Sequence, residues 1–202
     1  MELHYASGSV ATAVAIALEE AGLDYTAVPV DFANQAQTKP AYLAVNPKGR
    51  VPALVTPQGV LTETGAILEH IGRGTALIPD APIARTRLRE LMFYLAATMH
   101  VAHAHKHRGA RWADQQSSRD DMTAKVPQTM TACCAYLEDT YHFAPFVLGD
   151  TITVGDAYVF IALRWATGDG VDMTAFPKLT AHRDMMEQRA SVRTVREKGI
   201  VG

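Results

Sequence analysis

The most informative stretch of the chain for function is the segment 46–54 (NPKGRVPAL), which contains a Val-Pro dipeptide. A proline just before a strand removes one ladder donor and pushes the preceding residue into an extended conformation. If the Val51-Pro52 bond is cis, a sharp turn presents the N–H and C=O of Val51 to an extended peptide ligand as one more strand pairing. The alternative is an ordinary loop proline without a ligand.

A second candidate site is the dipeptide Glu63-Thr64, which follows a predicted hairpin and opens a predicted helix. The Thr64 hydroxyl and the first free N–H groups of that helix would bind an anion. Glu63 beside them would receive an ammonium, so a free amino-acid end would find partners for both of its charges in one place. The alternative is a plain helix cap.

Histidines are concentrated in the segment 99–107 (MHVAHAHKH). His100, His103 and His107 are spaced to share one helix face, which could bind a metal if carboxylates or cysteines supported it. The segment has no such support, so we expect a solvated histidine face and no metal.

The only two cysteines, Cys133 and Cys134, are adjacent, and a bridge between neighbours would be far from preferred disulfide geometry. Their spacing is also not that of a structural zinc site. Two isolated thiols suit a reducing compartment, so the cytoplasm is the expected location.

The elements that must position these residues alternate between short strands and helices in the first third of the chain. Apolar periodicity and turn residues predict the order β-α-β-α-β-β-α, over 3–5, 9–21, 25–30, 40–45, 53–56, 60–62 and 64–71. This order is typical of an α/β layer whose last two strands are antiparallel.

The second part of the chain shows no convincing strand. The segment 77–82 (LIPDAP) holds two prolines and no periodic pattern, which predicts a linker. Helical spacing of apolar residues then predicts four or five helices, including those over 85–107, 119–141, 154–167 and 178–189. The expected fold class is α/β plus all-α, with a first domain over 1–76 and an all-helical domain over 83–202.

Composition excludes several classes of function. The 202 residues include 19 Lys and Arg against 21 Asp and Glu, and a net charge of -2 gives no electrostatic case for nucleic acid. The apolar run 10–18 (VATAVAIAL) lacks the flanks of a secretory signal and is shorter than the roughly 20 residues that span a bilayer. We expect a buried helix there, no membrane association and no nucleic-acid partner.

Several of these features together resemble one known family. Tyr5 with Ser9 at the first turn, the NPKGRVPAL segment, the following TETGAILEHI and the segment 153–157 (TVGDA) are similar to cytosolic glutathione S-transferases, closest to the bacterial beta-type class. The resemblance covers nearly the whole chain and implies a thioredoxin-like N-terminal domain, a helical C-terminal domain and a homodimer. The spacing of Thr153 and Asp156 by itself predicts a capping box with Asp in the place of Glu.

The resemblance also implies how glutathione binds. Val51 would pair with the cysteinyl main chain, with Pro52 cis, and Glu63 and Thr64 would hold the γ-glutamyl end. The family usually has Ser or Gly where Thr64 stands, so a hydroxyl is retained. The glycyl carboxylate needs a cation or an amide donor, for which the candidates are Gln35, Lys39, Lys48 and Arg50.

Catalysis in such an enzyme requires a group that stabilises the thiolate, because a cysteine-type thiol titrates near about 8.5 and is mostly protonated at neutral pH. Tyr5 at the end of the first strand is our first candidate, and Ser9 at the start of the first helix is the second. Beta-type relatives carry a cysteine where this chain has Val10. This departure argues against mixed-disulfide chemistry with glutathione.

In beta-type relatives a histidine borders the active site near the position of His100. The expected pocket for an apolar electrophile combines this histidine with six other candidates: Val10, Tyr94, His103, Arg111, Trp112 and Trp165. The predicted function is a glutathione transferase with glutathione as co-substrate; aromatic substitution, addition to an enone and peroxide reduction all begin with the same thiolate. The alternative is a non-catalytic protein of this fold that binds hydrophobic ligands or scaffolds a partner.

Overall fold

The computed structural model describes residues 1–202 and contains one four-stranded sheet. Its strands are β1 (Glu2–Tyr5), β2 (Thr26–Pro29), β3 (Ala53–Thr56) and β4 (Gly59–Thr62). The strand order is β2-β1-β3-β4, with β1 parallel to β2 and antiparallel to β3, and with β3 antiparallel to β4. The predicted hairpin between β3 and β4 is confirmed.

Three helices accompany the sheet: α1 (Ala11–Glu20), α2 (Pro40–Leu43) and α3 (Thr64–Gly72). The predicted order β-α-β-α-β-β-α is therefore confirmed. Eight of the ten residues of α1 are buried, because a helix that is apolar all round needs neighbours on every side. The apolar run near the N-terminus is thus a core helix, as expected.

The rest of the chain is helical: α4 (Pro82–Tyr94), α5 (His100–Arg108), α6 (Gln116–Thr140), α7 (Val154–Gly168), α8 (Pro177–Glu187) and α9 (Ala190–Glu197). The helix predicted over 85–107 corresponds to α4 and α5, which are joined by a π-helical turn, Leu95–Met99. The last helix, α9, was not predicted, because eight residues give little periodic signal. It is held by tertiary contacts, since Arg189 and Ser191 both donate to the Glu20 carboxylate on α1.

The predicted capping box at the start of α7 is present. The Thr153 hydroxyl accepts from Gly155 N–H at 3.2 Å, and the Thr153 N–H donates to the Asp156 carboxylate at 2.8 Å. This buried carboxylate also accepts from the Val147 N–H at 2.8 Å and lies 2.9 Å from Nε2 of His182 on α8. Asp156 therefore ties α7 to α8 and to the loop before α7, which is a folding role.

One hydrophobic core runs through both parts of the chain, since α1 packs against α7 and α9 as well as α3. The predicted linker lies between α3 and α4, and within it Leu77 is buried and its carbonyl accepts from the Val154 N–H at 3.0 Å. A shared core does not mark the domain boundaries, which stay a prediction. None of the helices combines the length and the apolar character needed to cross a membrane.

Candidate functional site

The candidate site lies at one edge of the sheet, where the strand register brings four chain segments together. The last residues of β1 and β2 are paired with each other. His4 near the end of β1 pairs with Ala53 at the start of β3, and Ala53 pairs with Thr62 at the end of β4. The turn after β1, the segment after β2, the residues before β3 and the start of α3 therefore share this edge.

The turn between β1 and α1 has two hydrogen-bond donors without a partner in the chain. The Ser9 side chain accepts from the Ala11 N–H at 3.3 Å, which leaves the hydroxyl proton of Ser9 free. The N–H of Val10 has no partner. Both groups stand at the positive end of α1, where an anionic atom is stabilised.

A cavity of about 350 Å³ adjoins this turn. Its lining comes from the turn, the segment after β2 and the end of α5: Ala6, Ser7, Gly8, Ser9, Val30, Asp31, Phe32 and Arg108. Arg108 is not among the predicted site residues, because nothing in the local pattern of α5 shows that its last residue reaches this edge of the sheet.

Tyr5, the first catalytic candidate, is directed elsewhere. Its hydroxyl donates to the Lys198 carbonyl at 3.4 Å, and the residue does not line the cavity. The geometry therefore favours Ser9 over Tyr5 as a donor to a sulfur atom. The side chain of Val10 also differs from its expected place in a substrate pocket, because it is only 4% exposed and packs in the core.

The C-terminal residues support the turn, a role that no local sequence pattern predicts. The Ile200 carbonyl accepts from the Gly8 N–H at 3.0 Å and from the Thr12 hydroxyl at 3.2 Å. Gly8 has a φ of +68°, which glycine adopts readily. The last residues of the chain thus hold the turn and the first turn of α1 in one position.

The Val51-Pro52 peptide bond is cis, as predicted. Neither the N–H nor the C=O of Val51 has a hydrogen-bond partner within the chain. The loop before it is held by Tyr42 and Asn46, whose side chains donate to the Arg50 carbonyl at 2.7 and 2.6 Å. Val51 therefore has a free donor and a free acceptor, in a loop that hydrogen bonds hold in place.

The start of α3 also has free groups. Glu63 has a φ of +69°, a conformation that is strained for a residue other than glycine and that is common at ligand sites. The N–H and the hydroxyl of Thr64 have no partner. The Glu63 carboxylate is 76% exposed and pairs with Lys48, so an incoming ammonium would compete with that lysine.

The four candidates for binding the glycyl carboxylate differ in whether their side chains already have a partner. Lys48 is engaged with Glu63 and with the Thr62 hydroxyl at 2.8 Å. The exposed side chains of Lys39 and Arg50 make no ion pair and no hydrogen bond, and Gln35 is exposed as well. Lys39 and Arg50 are therefore the two free cations among the four candidates.

Trp165 on α7 joins the helical part of the chain to the turn after β1. Its indole N–H donates to the Gly8 carbonyl at 2.9 Å. His103 stacks on the indole with 4.5 Å between ring centroids, and His100 lies at 4.8 Å. Nδ1 of His103 in turn lies 2.7 Å from the buried Asp169 carboxylate. Three predicted pocket residues are thus brought together, and the expectation of a solvated histidine face is wrong for His100 and His103.

Trp112 and Tyr94 are not part of this cluster. Trp112 is 46% exposed and packs against His105, with 4.6 Å between ring centroids. Tyr94 packs against Tyr136 at 4.3 Å and lines a second cavity of about 430 Å³ between the α4–α5 helices and α6. The structure therefore does not support their assignment to the same pocket. No group of three or more His, Cys, Asp or Glu side chains is arranged to hold a metal ion.

The electrostatics near Trp165 keep one histidine neutral. Burial, followed by smaller contributions from Arg108, His103 and Arg111, lowers the pKa of His100 to about 3. His100 is therefore uncharged at neutral pH. The pKa of Arg108 and that of Arg111 also lie below their ordinary values, first because of burial and then because of neighbouring arginines. The surroundings of His100 thus carry a concentration of positive charge.

Known proteins similar to this chain come from one family. The family model of the glutathione S-transferase N-terminal domain matches residues 2–73, and that of the C-terminal domain matches residues 103–199. A crystal structure of a glutathione transferase homologue from Sulfitobacter, with bound glutathione, is 50% identical and superposes with a TM-score of 0.96. The superposition covers 99% of this chain and 98% of the homologue.

Two further relatives align over most of the chain. Glutathione S-transferase GST-4.5 from Xanthomonas campestris is 30% identical, and the alignment covers 95% of this chain and 95% of the relative. A maleylacetoacetate isomerase from Rhizobium meliloti is 32% identical over 88% of this chain and 86% of its own. Because the matches extend through the thioredoxin-like sheet domain and the helices that follow it, this protein is a bacterial-type member of the glutathione S-transferase family.

Proposed function

We propose that the protein binds glutathione and activates its thiol as a thiolate, which then attacks a largely apolar electrophile. The observation that carries this proposal is a set of unpaired polar groups at one sheet edge: the N–H and C=O of Val51, the N–H and hydroxyl of Thr64, and the N–H of Val10. Unpaired polar groups in partly buried positions are costly, so a ligand that pairs with them is favoured. The Sulfitobacter homologue, which is 50% identical to this chain, was crystallised with bound glutathione.

In this proposal glutathione lies extended and pairs its cysteinyl main chain with Val51 as one more strand. The γ-glutamyl carboxylate binds to the Thr64 hydroxyl and the free N–H at the start of α3. The γ-glutamyl ammonium binds to Glu63. Lys39 or Arg50 binds the glycyl carboxylate, because the charged group of each side chain has no partner in the chain.

The sulfur of a ligand bound in this way would lie at the turn after β1. We propose that the Ser9 hydroxyl and the Val10 N–H donate to it, with help from the positive end of α1. A hydrogen bond to the charged form of an acid lowers its pKa. Tyr5 stays as the second candidate, since its hydroxyl is already engaged with Lys198 at 3.4 Å.

The reaction itself needs no further cofactor. With 1-chloro-2,4-dinitrobenzene, an electron pair of the sulfur forms the C–S bond at the carbon that bears chlorine. The C–Cl bond breaks, chloride leaves with the bonding pair, and the proton of the thiol goes to solvent. His100, His103 and Trp165 are proposed as part of the wall that the electrophile contacts.

A conjugation assay with this electrophile, run beside a calorimetric titration with glutathione, tests the proposal. We expect saturable glutathione binding and turnover above the uncatalysed rate. Binding without turnover of several electrophiles would favour the alternative, a non-catalytic protein that binds hydrophobic ligands or scaffolds a partner. Absence of glutathione binding would overturn the proposal.

We further propose a homodimer located in the cytoplasm. The glutathione pool of the cytoplasm is mostly reduced and keeps protein thiols reduced. Both cysteines of this chain are free thiols. The helical part of the chain exposes two large apolar side chains on α4, Ile83 and Phe93. We propose that the partner subunit covers them, because large exposed apolar surface commonly marks a protein–protein contact.

A further inference from the structure

Three arginines near the candidate site have no partner in the chain. They are Arg50, Arg108 and Arg111, here called the arginine cluster; no guanidinium among them donates a hydrogen bond within the chain or has a carboxylate within 4 Å. By contrast, nine of the other ten arginines donate to at least one oxygen, Arg73 being the exception. The cluster is therefore a concentration of uncompensated positive charge.

The arginine cluster lies at the cavity beside the turn after β1. Arg108 lines the cavity together with Ser9. Arg111 follows Arg108 by three residues, in the 3-10 turn directly after α5, and it is close enough to Arg108 for that charge to contribute to its lowered pKa. Arg50 directly precedes Val51, the residue proposed to pair with glutathione.

Neighbouring acids do not neutralise the cluster. Asp31 is the one acid in the cavity lining, and its carboxylate accepts two hydrogen bonds from Asn34, at 2.6 and 3.1 Å. It forms no ion pair with Arg108. Burial and mutual proximity hold the pKa of Arg108 and of Arg111 below their ordinary values. An anion placed among these arginines would relieve this repulsion.

Glutathione alone does not use all of these charges. Its glycyl carboxylate needs one cation, which the proposed function takes from Lys39 or Arg50. Arg108 and Arg111 are then left without an anion, beside a neutral His100 that adds no charge of its own. A guanidinium presents paired donors that match a carboxylate in two-point geometry.

We propose that Arg108 and Arg111 bind a carboxylate of the second substrate, so that the electrophile is an acid. This inference rests on the proposed function and narrows its substrate class from apolar electrophiles to anionic ones with an apolar body. The wall of His100 and Trp165 takes the apolar body, and the arginines take the charge.

The test compares two electrophiles that differ in one charge, 4-chloro-3,5-dinitrobenzoate and its methyl ester. The variants are Arg108→Gln and Arg111→Gln, and the matched control is Arg73→Gln, which removes an exposed, unpartnered arginine at the far end of α3. We expect the ratio of kcat/KM for the acid to kcat/KM for the ester to fall about tenfold or more in each cluster variant. The control should keep the ratio of the unaltered protein.

An equal fall for both electrophiles would overturn the inference. So would a weakened glutathione Kd with an unchanged ratio, because the arginines would then bind the glycyl carboxylate. If the unaltered protein turns over neither compound, the proposed function fails. The inference is then decided by calorimetric binding of 3,5-dinitrobenzoate and its methyl ester: preference for the acid that disappears in Arg108→Gln supports it, and no preference refutes it.

Discussion

The indole N–H of Trp165 donates to the carbonyl oxygen of Gly8 at 2.9 Å, across 157 residues of sequence. This bond links α7 of the helical part to the turn that carries the proposed thiolate donors. The same indole is flanked by His100 and His103, so one side chain connects these two histidines of α5 to the turn after β1.

Replacing Trp165 by Phe should therefore impair both stability and turnover. The variant leaves the Gly8 carbonyl without a donor, which should lower the free energy of unfolding by roughly 1–3 kcal/mol. Urea unfolding and the conjugation assay measure the two effects. Trp112→Phe is the control, because that indole is 46% exposed and donates no hydrogen bond within the chain; equal losses in both variants would contradict a specific role for Trp165.

Removal of the Ser9 hydroxyl should raise the pKa of bound glutathione. In Ser9→Ala one donor to the thiolate is lost, so turnover at neutral pH should fall, by less than the roughly 10²- to 10³-fold seen for one donor in oxyanion sites, since sulfur is a softer acceptor. The ultraviolet absorbance of the bound thiolate, followed against pH, measures the pKa directly.

Tyr5→Phe is the comparison for this experiment, since the Tyr5 hydroxyl contacts Lys198 at 3.4 Å. We expect it to leave the absorbance profile nearly unchanged. A shift in Tyr5→Phe alone would return the catalytic role to the tyrosine. No shift in either variant would leave the Val10 N–H and its helix end as the donors.

Glutathione affinity should depend on Glu63, because this carboxylate is proposed to bind the only ammonium of the ligand. A hydrogen bond to a charged group is commonly worth about 1.5–3 kcal/mol, and the 76% exposure of Glu63 favours the lower end, about tenfold in Kd. Calorimetry on Glu63→Gln measures the change. Lys48→Met is the informative companion: it frees Glu63 from its ion pair and should not weaken binding, and a Kd unchanged in Glu63→Gln would refute the γ-glutamyl assignment.

Acid should destabilise the fold partly through His100. Its pKa is about 3 in the folded chain against an ordinary value of 6.5, so between these values only the unfolded chain takes up the proton. The free energy of unfolding therefore falls as the pH drops from 6.5 toward 3, with a slope of up to about 1.4 kcal/mol per pH unit. Urea unfolding at several pH values should show a shallower slope in His100→Gln than in the unaltered protein. The exposed His107 serves as control, and identical slopes in all three proteins would contradict this account.

The oligomeric state should be a dimer in which α4 takes part. Phe93 and Ile83 on this helix are 71% and 70% exposed, which is unusual for such large apolar side chains. Sedimentation at micromolar concentration should give about twice 21.9 kDa, and Phe93→Asp should shift the protein toward the monomer. Leu23→Asp, in the loop after α1, should leave the mass unchanged; a monomeric unaltered protein would refute the prediction.

Much of the fold and part of the site follow from local sequence. The hairpin, the free groups at the start of α3 and the capping box of α7 were all predicted, because each depends on residues only a few positions apart. The cis Val51-Pro52 bond was implied by the family resemblance, since the local sequence left an ordinary loop proline as the alternative. Proline geometry, helix capping and apolar periodicity act over such distances. The buried character of α1 could also be predicted, since a helix that is apolar all round has no solvent-facing side.

The tertiary structure decided which of these groups meet. The hydroxyl of Tyr5 contacts Lys198, Trp165 reaches Gly8, and Arg108 at the end of α5 reaches the cavity beside Ser9. The histidine segment divides between Trp165 on one side and the second cavity on the other. These contacts join residues far apart in the chain, and their partners are set by how the helices pack on the sheet, so no local pattern of residues could distinguish Ser9 from Tyr5 or assemble the arginine cluster.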